Sequence, residues 1–93
     1  FSRNLEALGS NGDTLIILST SGNSKNIIEV TKLANSKKIK TIGFLGKTGG
    51  LVKKYTDIPI IVKNNDVARI QEAHIMLGHF ILESVEKKII KKF

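Results

Sequence analysis

The sequence predicts an α/β fold built on a parallel sheet. Three short apolar segments, 14–18, 41–45 and 58–62, have the length and composition of strands, and helical patterns lie before the first, between the first two and after the last. Strands that alternate with helices are typical of parallel sheets with right-handed crossovers. With 93 residues and 41% hydrophobic residues, the chain can pack one core, so we treat 1–93 as part of a single domain.

The helices are predicted from apolar periodicity and from the residues at their ends. The first covers Ser2 to Leu8 and ends at Gly9, and the second begins at Ser24 and ends near Ser36. Residues 51–54 suit a single helical turn. A long helix follows from Val67 to about Ile90, with Asp66 as a suitable N-cap.

The sequences of the strands indicate different burial and different positions in the sheet. The first is apolar on both faces, which predicts a buried parallel strand. Pro59 indicates that the third strand is an edge strand or that it begins there, since proline lacks the N–H group that a central strand donates. Residues 46–50 between the second strand and the helical turn are predicted to form a flexible loop.

Composition restricts the class of protein. The absence of cysteine excludes disulfides and thiolate metal sites, and it suits a reducing, cytoplasmic setting. The net charge of +7 comes from lysines in small separate groups, and the few aromatic residues form no stacking platform beside them. We therefore expect solvated lysine faces and no nucleic-acid partner. No apolar run reaches the roughly 20 residues of a membrane span, so no membrane partner is expected.

The start of the chain indicates missing sequence. Phe1 stands where an initiator Met would be expected, and it opens directly into a helical segment. We expect the 93 residues to be a fragment of a longer polypeptide or the ordered part of one.

The first candidate site is the loop that joins the first strand to the second helix. It carries four hydroxyl side chains and one glycine: Ser19, Thr20, Ser21, Gly22 and Ser24. A strand end followed by a helix N-terminus presents N–H groups and positive dipole charge to an anion. In open α/β sheets, ligands bind at the carboxyl ends of strands. The same residues also suit an ordinary capped turn, and local chemistry leaves the two interpretations about even. The glycine spacing is wrong for a P-loop or a dinucleotide site, so the expected ligand is a phosphorylated small molecule.

The second candidate site is the long final helix. It carries Gln71, both histidines, His74 and His79, and a helical glycine, Gly78, which would let another group approach closely. The helix is apolar nearly all round, which predicts burial on more than one side, against a missing segment or another subunit. The alternative is a pair of structural histidines, with His74 in packing or a supporting hydrogen bond. A metal site needs three or four ligands, and this chain offers at most two or three nearby.

Together these segments resemble the C-terminal half of the phosphoheptose isomerases, which belong to the sugar isomerase (SIS) domain family. The resemblance lies in the loop 19–24, in the segment 41–46 with Gly49 and Gly50, and in the segment 68–74 with His79. It covers essentially the whole chain. It implies a flavodoxin-like, three-layer α/β/α sandwich, of which this chain would be the C-terminal half, and assembly as a homotetramer.

The resemblance also implies an activity and a set of site residues. The reaction is the interconversion of sedoheptulose 7-phosphate and D-glycero-D-manno-heptose 7-phosphate, which leads to ADP-heptose and the lipopolysaccharide core. Zinc is the implied cofactor, and its remaining ligands and the proton-transfer base would lie in the N-terminal half, so this chain alone is expected to be inactive. The implied phosphate ligands are Ser19, Thr20, Ser21 and Ser24, Gln71 contacts substrate and metal, and His79 is a zinc ligand and catalytic group.

Two related functions without catalysis remain as alternatives. One is a SIS protein that binds a bacterial replication initiator, a group expected to carry arginine in place of Ser21 and to lack His79. The other is the sugar-phosphate-sensing SIS domain of a transcription regulator. Ser21 and His79 favour the isomerase over the first of these.

Overall fold

The computed structural model describes residues 1–92, and Phe93, the predicted end of the domain, lies outside the described residues. Every predicted helix and strand is present, with ends that differ by no more than about two residues from the prediction. The elements are α1 (Ser2–Leu8), β1 (Thr14–Ser19), α2 (Lys25–Ser36), β2 (Lys40–Gly46), the 3₁₀ helix η1 (Leu51–Tyr55), β3 (Ile58–Val62) and α3 (Val67–Lys92).

The three strands form one parallel sheet in the order β1-β2-β3. The register places Ile17 beside Gly43 and Leu45 beside Ile61. Pro59 therefore lies in an edge strand of this sheet, as predicted. At the edge of the sheet where the strands begin, Asp57 Oδ2 accepts hydrogen bonds from the N–H group and the hydroxyl of Thr41. These bonds join the starts of β2 and β3.

Helices lie on both faces of the sheet, which confirms the three-layer α/β/α arrangement. On one face, Ile17 and Leu45 pack with Val30 of α2 and Val52 of η1 in the buried core. Side chains alternate between the faces of a strand, so Phe44 points to the other face. There its ring lies 5.8 Å from the ring of His74 in α3.

The prediction that β1 is buried on both faces is wrong for this chain. Ile17 is buried, but Ile16 and Leu18 on the other face are 43% and 56% exposed. The reason is that α3 packs on β2 and leaves this side of β1 uncovered. An open, almost wholly apolar groove of about 500 Å³ runs along β1 between α1 and α2.

The predicted burial of α3 against a missing segment or another subunit stays a prediction, since this chain covers only one side of the helix. In its described side chains only Ile70 and His74 are buried, because the helix packs mainly on β2. Its exposed large apolar residues are Val67, Ile75, Met76, Phe80, Leu82, Val85, Ile89 and Ile90. Among the described residues, no helix combines the length and apolar character needed to cross a membrane.

Candidate functional site

The loop between β1 and α2 is folded by its own hydroxyl groups. Ser19 Oγ accepts a hydrogen bond from the Gly22 N–H group at 3.0 Å, and Ser21 Oγ accepts one from the Asn23 N–H group at 3.1 Å. Ser19, Thr20 and Ser21 are half-buried, while Ser24 is exposed. The structure thus brings the four predicted phosphate-binding hydroxyls together in one short loop at the carboxyl edge of the sheet.

Ser24 occupies the N-cap position of α2, but its side chain makes no capping hydrogen bond. The first helical bond runs from the Ile28 N–H group to the Ser24 carbonyl oxygen at 3.0 Å. The N–H groups of 25–27 precede it and have no acceptor within the helix. Simple capping therefore does not account for Ser24, and its hydroxyl lies at the positive end of α2, where an anion is stabilised.

A second loop, residues 46–50 after β2, packs against the first, backbone to backbone. A Cβ on Gly22 would collide with the Gly49 carbonyl group, and a Cβ on Gly50 would collide with the carbonyl oxygen of Ser21. Both glycines have positive φ angles, 70° and 63°. The Val52 N–H group donates to the Gly22 carbonyl oxygen at 2.9 Å. The segment predicted to be a flexible loop is therefore held in place.

The start of α3 meets the first loop at the end of β2. Asp66 Oδ1 accepts a hydrogen bond from the Ala68 N–H group at 3.0 Å, which confirms Asp66 as the N-cap. A Cβ on Gly46 would lie 2.6 Å from the Thr20 carbonyl oxygen and 2.7 Å from the Ile70 side chain. Gly46 thus lies in close contact with both the loop and the first turns of α3, and Gln71 follows Ile70 directly.

Gln71 and His79 are both exposed on α3. His79 is eight positions after Gln71, which is about 12 Å along the helix axis. The described residues contain no group of three or more histidine, aspartate or glutamate side chains able to hold a metal. Gln71 and His79 therefore do not form a zinc site by themselves.

The other two residues of the second candidate site are His74 and Gly78. His74 is buried, and its Nε2 atom lies 2.7 Å from the Leu45 carbonyl oxygen, which confirms the predicted packing and supporting hydrogen bond. A Cβ on Gly78 would lie 3.6 Å from the Phe44 ring, an ordinary contact. Nothing in the described part of the chain approaches Gly78 closely enough to require glycine.

Sequence reasoning missed the contribution of the second loop. Gly49 and Gly50 shape the site by direct contact, and Asn23 Oδ1 accepts a hydrogen bond from the Leu51 N–H group at 2.9 Å. The available signal was the glycine pair after β2 together with Gly22 after β1, since adjacent parallel strands end at the same edge of the sheet.

Comparison with known proteins agrees with this architecture. Residues 1–46 match the SIS domain family. Over 89 residues the chain is 54% identical to a phosphoheptose isomerase of Clostridium acetobutylicum, covering 96% of this chain and 45% of that protein. A phosphoheptose isomerase of Sulfurimonas denitrificans is 46% identical, with 96% and 46% covered. The chain thus spans about half the length of these relatives.

The structure is also similar to a solved phosphoheptose isomerase from Neisseria gonorrhoeae. The TM-score is 0.89 at 39% sequence identity, covering 91% of this chain and 49% of the other. A phosphoheptose isomerase from Francisella tularensis gives a TM-score of 0.86 at 31% identity, covering 89% and 45%. This chain therefore has the flavodoxin-like SIS architecture, and over nearly its whole length it is similar to about half the length of the phosphoheptose isomerases.

Proposed function

We propose that the protein containing this chain is an aldose–ketose isomerase that interconverts sedoheptulose 7-phosphate and D-glycero-D-manno-heptose 7-phosphate. The observation that carries the proposal is the hydroxyl-rich loop at the carboxyl edge of the sheet, in which the Ser24 side chain is not used as a helix cap. The resemblance to phosphoheptose isomerases over nearly the whole chain supports the substrate class.

The loop would bind the phosphate group at the end of the sugar that does not react. The hydroxyls of Ser19, Thr20, Ser21 and Ser24 and the start of α2 offer hydrogen-bond donors and positive dipole charge to it. A phosphate held in a loop that is itself braced by a second loop fixes the position of the rest of the sugar. Binding energy from the phosphate then serves to orient the reacting carbons.

Isomerisation moves a proton between two adjacent carbons through an enediolate. The reaction needs a base, an acid and stabilisation of the developing oxyanion. We assign contact with the sugar oxygens to Gln71 and proton donation to His79, both of which are exposed and free of side-chain hydrogen bonds among the described residues. The base belongs, on this proposal, to the N-terminal part of the protein, with this chain as the C-terminal half of the domain.

Zinc is part of the proposal as a cofactor shared with residues outside this chain. Gln71 and His79 would supply one oxygen and one nitrogen ligand, and the remaining protein ligands would come from outside this chain. When bound, zinc would polarise the substrate carbonyl.

We further propose a homotetramer in the cytoplasm, working in ADP-heptose synthesis for the lipopolysaccharide core. The exposed apolar residues of α3, among them Met76, Phe80 and Leu82, support an assembly that covers them. Light scattering on the purified full-length protein measures the subunit number, and a monomer would contradict the assembly.

The activity is tested by incubating the full-length protein with sedoheptulose 7-phosphate in deuterated water and following the sugar by NMR. Formation of the aldoheptose 7-phosphate with solvent deuterium at the carbon that gains the proton is the expected result. Absence of product, with sedoheptulose 7-phosphate still raising the melting temperature, would favour a non-catalytic SIS module, either regulatory or associated with a replication initiator.

A further inference from the structure

We propose that Asn23 is a positioning residue that sets the shape of the phosphate-binding loop by tying it to the first residue of η1. The inference rests on the proposed function, because it assigns to Asn23 a role in binding the phosphorylated substrate. It concerns a residue whose side chain has no predicted contact with substrate or metal.

The contacts of Asn23 carry the inference. Its N–H group donates to Ser21 Oγ at 3.1 Å, and its Oδ1 atom accepts from the Leu51 N–H group at 2.9 Å, 28 residues later in the chain. Next to this bond, the Val52 N–H group donates to the Gly22 carbonyl oxygen at 2.9 Å. Two consecutive residues of the loop are thus bound to two consecutive residues of η1.

These two bonds lie in the middle of the hydroxyl-rich loop. Ser19 and Ser21 precede the tied pair 22–23 along the chain, and Ser24 follows it. The tie therefore holds the hydroxyls before it at a fixed separation from Ser24 and the N-terminus of α2. When Oδ1 is removed, the main-chain hydrogen bond between Val52 and Gly22 remains, so the loop stays attached to η1. The backbone at residue 23, next to Ser24, then becomes more mobile.

The chain offers a closely matched control in Asn35. Its Nδ2 atom donates to the Tyr55 carbonyl oxygen at 2.9 Å, and the side chain is exposed like that of Asn23. This bond joins the last turn of α2 to the end of η1, whereas the Asn23 bond joins the loop to the beginning of η1. Asn35→Ala therefore removes a comparable side-chain hydrogen bond to η1 without touching the loop.

The test compares Asn23→Ala, Asn35→Ala and wild-type full-length protein. For Asn23→Ala we expect the dissociation constant for sedoheptulose 7-phosphate, measured by calorimetry, and the KM to rise about threefold to tenfold, with kcat within about twofold of wild type. Asn35→Ala should match wild type in all three, and the melting temperatures of the two variants should agree. Faster hydrogen exchange at the Leu51 amide of Asn23→Ala would report the lost bond directly.

Equal ligand affinity in Asn23→Ala and Asn35→Ala would overturn the positioning role, as would a fall in kcat with unchanged KM. The proposed function fails separately, if wild type binds sedoheptulose 7-phosphate without converting it. The binding comparison still decides the role of Asn23 in that case. Lack of binding by wild type would overturn both.

Discussion

The Nε2 atom of His74 lies 2.7 Å from the main-chain carbonyl oxygen of Leu45, the next-to-last residue of β2. Because a carbonyl oxygen only accepts, Nε2 carries the proton that is donated in this hydrogen bond. The same ring packs beside Phe44, so one side chain fixes α3 to the sheet by a polar and an apolar contact. His79, five residues later on the same helix, is exposed.

The two histidines should therefore respond differently to substitution. His74→Ala removes a buried ring and leaves the Leu45 carbonyl without its partner, so we expect a loss of roughly 2–4 kcal/mol in the free energy of unfolding. His79→Ala should change stability by less than about 0.5 kcal/mol, since it is an exposed substitution, while reducing turnover. Urea denaturation and turnover assays on the full-length protein measure both. A stable His74→Ala variant would contradict the structural role.

Ser19 and Ser24 should separate loop folding from ligand binding. Ser19 Oγ accepts the Gly22 N–H group, so Ser19→Ala should cost about 1 kcal/mol of stability and also weaken substrate binding. Ser24 makes no capping bond, so Ser24→Ala should leave stability nearly unchanged and raise the KM for the phosphorylated sugar severalfold. Thermal unfolding and steady-state kinetics supply the measurements. If Ser24→Ala is destabilising with an unchanged KM, the capping interpretation is the correct one.

Close contact between the two loops is tested at Gly50. Its φ of 63° and ψ of −163° suit glycine alone, and a Cβ there would also collide with the Ser21 carbonyl oxygen. We expect Gly50→Ala to lose at least about 2 kcal/mol of stability and to weaken phosphate binding.

Gly12 provides the control for backbone strain without collision. Its φ is 94°, but a Cβ there would have no atom within 4 Å. Gly12→Ala should cost about 1–2 kcal/mol and leave substrate affinity unchanged. If Gly12→Ala and Gly50→Ala lose equal stability and equal substrate affinity, the contact between the two loops is not needed for binding.

Local sequence patterns were enough to predict the elements of this fold. Apolar runs located the strands, and caps such as Asp66 located helix ends, because these signals depend on neighbouring residues. The contact between Gly22 and Gly50 forms because two loops that are distant in sequence meet at the same edge of the sheet. Local patterns do not reveal such a contact.

Burial was predicted less well for a related physical reason. Leu18 and the exposed apolar residues of α3 are side chains of the kind that is usually buried, but nothing in the described part of the chain covers them. Such patterns report that a surface is to be covered and do not identify what covers it. In the candidate site, the sequence located the hydroxyl loop and Gln71 and His79 as separate groups, and their roles stay predictions.

The metal ligands proposed on α3 can be tested by zinc content. We expect full-length wild-type protein to bind zinc, His79→Ala to lose it, and Gln71→Ala to bind it at least about tenfold more weakly, because each variant removes one of the proposed zinc ligands. Glu72→Gln is a suitable control, since Glu72 is an exposed carboxylate beside Gln71 whose partner is Arg69, 3.1 Å away. Metal analysis after dialysis against a weak chelator gives the zinc content. Unchanged zinc in His79→Ala would remove this residue from the metal site and leave proton donation as its role. A wild-type protein without zinc whose turnover survives a strong chelator would show that the reaction proceeds on side chains alone.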